Sequence, residues 1–156
     1  MPHKPLPATH IPPQRKKTSY PPPFDAQVAG RTKRKLGDFF GLRNFGVNLT
    51  ELAPGAVSAL KHHHSRQDEF IYVLSGQPTL VLGEHEHLLS PGDCYGFPAG
   101  AGIAAQLVNR TDAPAAFLEI GDRTPGDQVV YPDDDLRAEQ QPDGSWRFLH
   151  RDGTPY

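Results

Sequence analysis

Between residues 38 and 122 the chain alternates apolar and polar positions in short runs, each broken by turn residues, which is the pattern of successive half-buried antiparallel strands. NFGVNLTELAPG predicts a strand closed by a Pro54-Gly55 turn, and AVSALKHHH predicts the next. After the SRQD turn comes EFIYVLSG, dense in β-branched and aromatic residues and ending at Gly76. TLVLGEHEHLL predicts a hairpin turning near Gly83-Glu84, SPGD a further turn, and CYGFPAG a short strand with a glycine-rich loop behind it. AAQLVN and AAFLEIG, with Arg110 to Pro114 between them, predict a last hairpin. Strands at this spacing imply an all-β protein, a small barrel or sandwich.

The alternation fails at both ends. Residues 1–37 begin with MPHKPLPATHIPPQRKKTSYPPP, whose prolines block helix and central strand alike. They predict an extended basic arm, either disordered or laid on a surface, that of a second subunit included, with Tyr20 and Phe24 as apolar anchors. Residues 123–156 carry the acidic run YPDDDL and then Asp-Gly turn signals around Trp146 and Phe148. A short strand or hairpin packed on the barrel is expected there, which gives an arm (1–37), a barrel (38–122) and a C-terminal extension (123–156).

Composition agrees: 15 Gly and 17 Pro among 156 residues favour a turn-rich single domain. Sixteen Lys and Arg against eighteen Asp and Glu give a net charge of -2, which argues against a nucleic-acid partner and against an anionic membrane surface. The basic cluster RTKRK at 31–35 has no aromatic or helix-turn-helix pattern beside it and reads as a solvated approach to the first strand. One cysteine, Cys94, excludes an internal disulfide framework and fits a reducing compartment. It is expected to be a small buried side chain, since neither a base nor a helix N-terminus is evident near it. With no apolar run of membrane-spanning length and no apolar leader, the expectation is a cytoplasmic protein.

The candidate chemistry lies in GAVSALKHHHSRQDEFIYVLSG, residues 55 to 76. On a strand, His62 and His64 share a face and His63 takes the other, while Glu69 opens the next strand across a four-residue turn. Two imidazoles and a carboxylate form a facial ligand set for Fe, Mn, Ni, Co or Zn that leaves coordination positions open. Alternation also places Ser58, Leu60 and Ile71 in the same cavity. Asp133, Asp134 and Asp135 read as a solvated acidic loop, and His85 and His87, beside a hairpin turn with glutamates interleaved, as a solvated ribbon.

Gly55, His62, His64, Glu69 and Gly76 resemble the first motif of the cupin superfamily with one extra residue in the first gap. Gly83, Pro91-Gly92-Asp93, Pro98-Ala99-Gly100 and Asn109 resemble the second. The resemblance implies a cupin β-barrel or jelly roll with a metal pocket inside, a small-molecule ligand and a homodimer that shares strands or arms. It also implies a further histidine four residues before the asparagine, where this chain has Ala105, and no histidine lies between His87 and His150. Three arrangements are compatible with that: metal held by three protein ligands, a site completed by Gln106 or His87 after a register shift, or a vestigial site that binds an organic ligand directly.

Two functions follow. One is a metal-binding cupin acting on a small polar organic molecule by oxygenase, isomerase or decarboxylase chemistry. The other is a non-catalytic binding or sensing cupin with a degenerate metal site. The reconstructed pocket (Ser58, Leu60, Ile71, Ala105) is mostly apolar and offers no second acid or base.

Overall fold

A computed structural model describes residues 4–15 and 18–156. The N-terminal residues 1–3 and the lysines at 16 and 17, part of the expected arm, fall outside it. Twelve strands are present among the described residues: β1 (Arg31–Lys35), β2 (Phe45–Leu52), β3 (His63–His64), β4 (Glu69–Ser75), β5 (Thr79–Leu82), β6 (His85–Leu88), β7 (Cys94–Phe97), β8 (Ala105–Val108), β9 (Ala115–Asp122), β10 (Gln128–Tyr131), β11 (Leu136–Gln140) and β12 (Trp146–Leu149). One short helix, α1 (Leu36–Phe39), and two 3₁₀ turns complete the chain. No helix among the described residues is long and apolar enough to cross a membrane.

A five-stranded antiparallel sheet in the order β1-β2-β9-β4-β7 faces a three-stranded sheet in the order β6-β5-β8. Between them Leu52, Ile71, Val73, Leu80, Leu107 and Phe117 form the barrel core. The strands that close the barrel are not neighbours in sequence. β8 pairs with β5, whereas β9 lies between β2 and β4, so Ala105–Val108 and Ala115–Asp122 are not the hairpin their proximity suggests. The chain crosses from one sheet to the other between them, and buried Asn109 secures the crossing. Its amide donates to the carbonyls of Leu52 and Ala113, and its carbonyl accepts from Thr111. Gly76 closes the strand at β4 with φ of 73°, where a Cβ would fall 2.6 Å from Ala115 Cα and from the Pro114 carbonyl. Only glycine fits both the conformation and the space.

The predicted strand AVSALKHHH is largely irregular. Val57 bridges Val108 and His62 bridges Ala105, so five steps on this segment face three on β8. The excess bulges out and breaks the alternation. Ser58 stays at the cavity, where its hydroxyl accepts the Leu107 N–H. Leu60 is turned away into a second core with Phe24, Val129, Tyr131, Leu136 and Ala138, which corrects its expected place in the pocket.

That second core belongs to a third sheet, β12-β11-β10-β3. The C-terminal extension therefore contributes three strands, and through β3 it is hydrogen-bonded to the histidine segment itself. The described part of the arm packs on its own barrel: Phe24 enters the second core, Tyr20 packs edge-on against Tyr131 and Phe148, and the Gln14 N–H donates to the Lys33 carbonyl. RTKRK is an integral edge strand of the large sheet, in register with β2 from Arg31 opposite Leu52 to Lys35 opposite Asn48. Cys94 is exposed at the start of edge strand β7, contrary to its expected burial. Asp133 pairs with Lys61, and Asp135 accepts from His150 and from the Arg151 backbone, so the acidic run ties the tail together.

Candidate metal centre

His62, His64 and Glu69 come together with one ligand atom of each within 4.8 Å of the others. Glu69 Oε2 lies 3.9 Å from His62 Nε2 and 3.6 Å from His64 Nε2. The imidazoles are shielded, with side-chain exposures of 16% and 13%, while Glu69, at 40%, opens into the cavity. Each ring is oriented through its other nitrogen. His62 Nδ1 donates to the Leu60 carbonyl at 2.6 Å, and His64 Nδ1 donates to the Asp127 carboxylate. A proton committed to Nδ1 leaves the Nε2 lone pair free and aimed at Glu69, the arrangement a metal-ligating histidine needs. On the chemistry of this donor set, the three residues fit a divalent transition metal.

The two histidines differ in basicity. Burial pulls His62 below the ordinary histidine range, against the pull of Glu69 in the other direction. Burial also opposes the charge on His64, but the hydrogen bond to Asp127 and the nearby Glu69 outweigh it and raise that group. Asp127 is lowered despite its burial, because His64, the Arg66 N–H and Ser65 all donate to it. The loop beyond β7 closes the rim: the Ala99 N–H donates to Asp68, and the Gly100 N–H to the His64 carbonyl.

Ala105 stands directly across from His62. The two residues exchange both backbone hydrogen bonds, at 3.1 and 2.9 Å, which puts their side chains on one face. The methyl of Ala105 is buried in the barrel core and offers no ligand there. Gln106 lines the same cavity but stands opposite Val81 on β5. His87 is exposed on β6 opposite Leu80 and does not line the cavity, because the β5–β6 hairpin carries it to the outside of the barrel. His85 is likewise exposed. Ile71 lines the cavity as expected.

The cavity holds about 540 Å³, in the range of small-molecule sites. It is more polar than the reconstruction from the sequence. Arg31 and Lys33 reach into it from β1 and Glu119 from β9, while Tyr20, Tyr131 and Trp146 cover the histidines. Tyr131 lies over His62 with ring centroids 5.5 Å apart, and Trp146 meets His64 edge-on at 6.3 Å. Glu119 makes an ion pair with Lys33 and accepts from Asn48 at 3.1 Å. Burial works against its charge, but Lys33, Arg31 and Asn48 together hold it below the ordinary carboxylate range. Burial raises the Tyr20 hydroxyl, and it raises Tyr131 further, to well above the ordinary tyrosine range, with Tyr20 and Glu69 adding to the effect. Both phenols are therefore protonated across the neutral range, and they are hydrogen-bonded to each other.

Residues 48–121 match the Cupin_2 family, a cupin domain. The structure resembles a crystal structure described as a sugar phosphate isomerase of the cupin superfamily, from Silicibacter pomeroyi. The two are 44% identical over 98% of this chain and 96% of that one, with a TM-score of 0.91. The chain belongs to the cupin superfamily. A second cupin-like neighbour, a candidate sugar phosphate isomerase from Acidithiobacillus ferrooxidans, is 33% identical over 81% of this chain and 80% of that one, with a TM-score of 0.72. A polyketide cyclase from Streptomyces resistomycificus, 22% identical over 77% of this chain and 79% of that one, shares the fold, with a TM-score of 0.62. A search of curated protein sequences returned no match.

The cupin motifs account for His62, His64 and Glu69, but five residues that line or brace the cavity lie outside them: Arg31, Lys33, Glu119, Asp127 and Tyr131. Only the RTKRK run was visible as a signal, and its alternate spacing is that of a strand with one charged face.

Proposed function

We propose that this cupin is a metal-dependent isomerase of sugar phosphates. The observation that carries the reading is that the His62–His64–Glu69 cluster shares one cavity with the Glu119 carboxylate, the protonated phenols of Tyr20 and Tyr131, and the cationic side chains of Arg31 and Lys33. The similarity to the Silicibacter protein, described as a sugar phosphate isomerase, supports the choice of substrate class.

Aldose–ketose interconversion moves a proton between the carbonyl carbon and its neighbour. A divalent cation held by His62, His64 and Glu69 would polarise the carbonyl. Glu119, ionised at neutral pH, takes the proton from the carbon next to the carbonyl and returns it to the adjacent carbon. Tyr131, kept protonated by burial, gives its proton to the carbonyl oxygen as charge gathers on it and recovers one from the hydroxyl of the neighbouring carbon, whose oxygen becomes the new carbonyl. Trp146 and Phe148 wall the cavity and limit access of water to the proton in transit.

The test is proton NMR in D₂O, with the protein loaded in turn with Fe(II), Mn(II), Ni(II), Co(II) and Zn(II) and offered aldose and ketose phosphates of five and six carbons. Interconversion with deuterium entering at the carbon next to the carbonyl is expected. Failure to take up any of the metals, or metal uptake with neither interconversion nor deuterium exchange, removes the reading.

A further inference from the structure

β1 turns its charge inward. Arg31, Lys33 and Lys35 occupy alternate positions and line the cavity, whereas Arg34 leaves the opposite face and meets Glu51 at 3.8 Å. Taking a cationic head group out of water costs several kcal/mol unless an anion accompanies it, so such residues are uncommon on a barrel's inner face. Glu119 accompanies Lys33. Lys35 stands half-exposed at the mouth and pairs with Asp38 at 3.7 Å, so Arg31 and Lys33 face Glu119 and the cluster's Glu69, and a divalent ion held by that cluster would leave the cavity with an excess of positive charge. A cavity with that excess attracts an anion.

Geometry favours a particular anion. The Arg31 guanidinium is anchored through Nη1 by the Ser58 carbonyl, which sets the plane of its fork. The arm runs beside it, joined to β1 by the bond from Gln14 to Lys33, and brings Gln14, Thr18 and Ser19 to the same wall as neutral donors. Cations joined by hydroxyl and amide donors suit a tetrahedral oxyanion with several acceptor oxygens.

We propose that Arg31 and Lys33, with Gln14, Thr18 and Ser19 of the arm, form a subsite for a phosphomonoester. The proposal rests on the isomerase reading for the remainder of the substrate, whose carbonyl end lies toward His62, His64 and Glu69. Bound this way, the phosphate fixes which end of the sugar faces the ligand cluster.

The experiment is calorimetric titration of the metal-loaded protein with inorganic phosphate, with a sugar phosphate and with the same sugar lacking its phosphate. Phosphate and sugar phosphate should compete, and the free sugar should bind far more weakly. Arg31→Gln and Lys33→Gln should each weaken both phosphate ligands by roughly tenfold to a hundredfold, the loss expected for a charged hydrogen bond. Metal stoichiometry should be unchanged, and Arg31→Lys should recover part of the loss. Variants that bind metal and melt as the wild type does, yet hold phosphate as tightly, overturn the subsite. So does a wild-type protein that binds sugar and sugar phosphate alike, a result that requires no variant to fold. Arg31-dependent phosphate binding without any isomerisation keeps the subsite and removes the isomerase. Isomerisation unaffected in KM by Arg31→Gln keeps the isomerase and removes the subsite.

Discussion

At the scale of single residues, Asp127 decides which nitrogen of His64 carries the proton. Its carboxylate can only accept, so His64 must donate from Nδ1 and present Nε2 bare. Asp127→Asn should reverse this. Its carbonyl oxygen would keep the Ser65 and Arg66 donors, its amide would face Nδ1, and the ring proton would move to Nε2, where it blocks ligation. Metal affinity should fall by about tenfold to a hundredfold, read by competition with a chromogenic chelator. The candidate ligands themselves were legible because His-x-His followed by a turn and Glu is local, and local spacing survives folding. Asp127 was not, since it lies 63 residues from His64 and its neighbourhood carries no period.

Elements show how a pattern can be read with the wrong sign. The alternation rule assigns the apolar face of a strand to the core, and on β1 the charged face lines the cavity, so RTKRK read as solvated. The Lys33–Glu119 pair between β1 and β9 gives that arrangement a pH signature. The folded Glu119 group is depressed, so its contribution to stability is present above the unfolded carboxylate value and is lost as pH falls through the lower folded value. Glu119→Gln should therefore flatten the decline of melting temperature with acid below about pH 4.5, followed by circular dichroism. At β8, Ala105→His would place an imidazole on the same face as His62. Tighter metal binding is expected, with a stability loss of about 1–3 kcal/mol from overpacking the buried position; denaturant titration with and without metal separates the two. The barrel was readable strand by strand, but not the β8–β9 crossing, because pairing between distant strands leaves no mark in either one.

For the whole molecule, the arm and the C-terminal sheet are walls of the site rather than appendages. Phe24 is buried against Leu60 and Tyr131, and Tyr131 lies over His62. Phe24→Ala should cost about 3–5 kcal/mol in urea unfolding, as for other buried aromatic truncations. It should also loosen metal binding through Tyr131 and Leu60, although it touches no ligand. Tyr20 and Phe148, whose rings meet edge-on, impose a schedule on biosynthesis. At ribosomal rates the roughly 130 residues that separate them take on the order of ten seconds to make, and Tyr20 must wait uncovered for that time. A strand-forming sequence left exposed so long would invite pairing with other chains. The prolines before Phe24 keep that stretch out of a strand and deny it a backbone edge to offer, so a segment made early can safely be placed late.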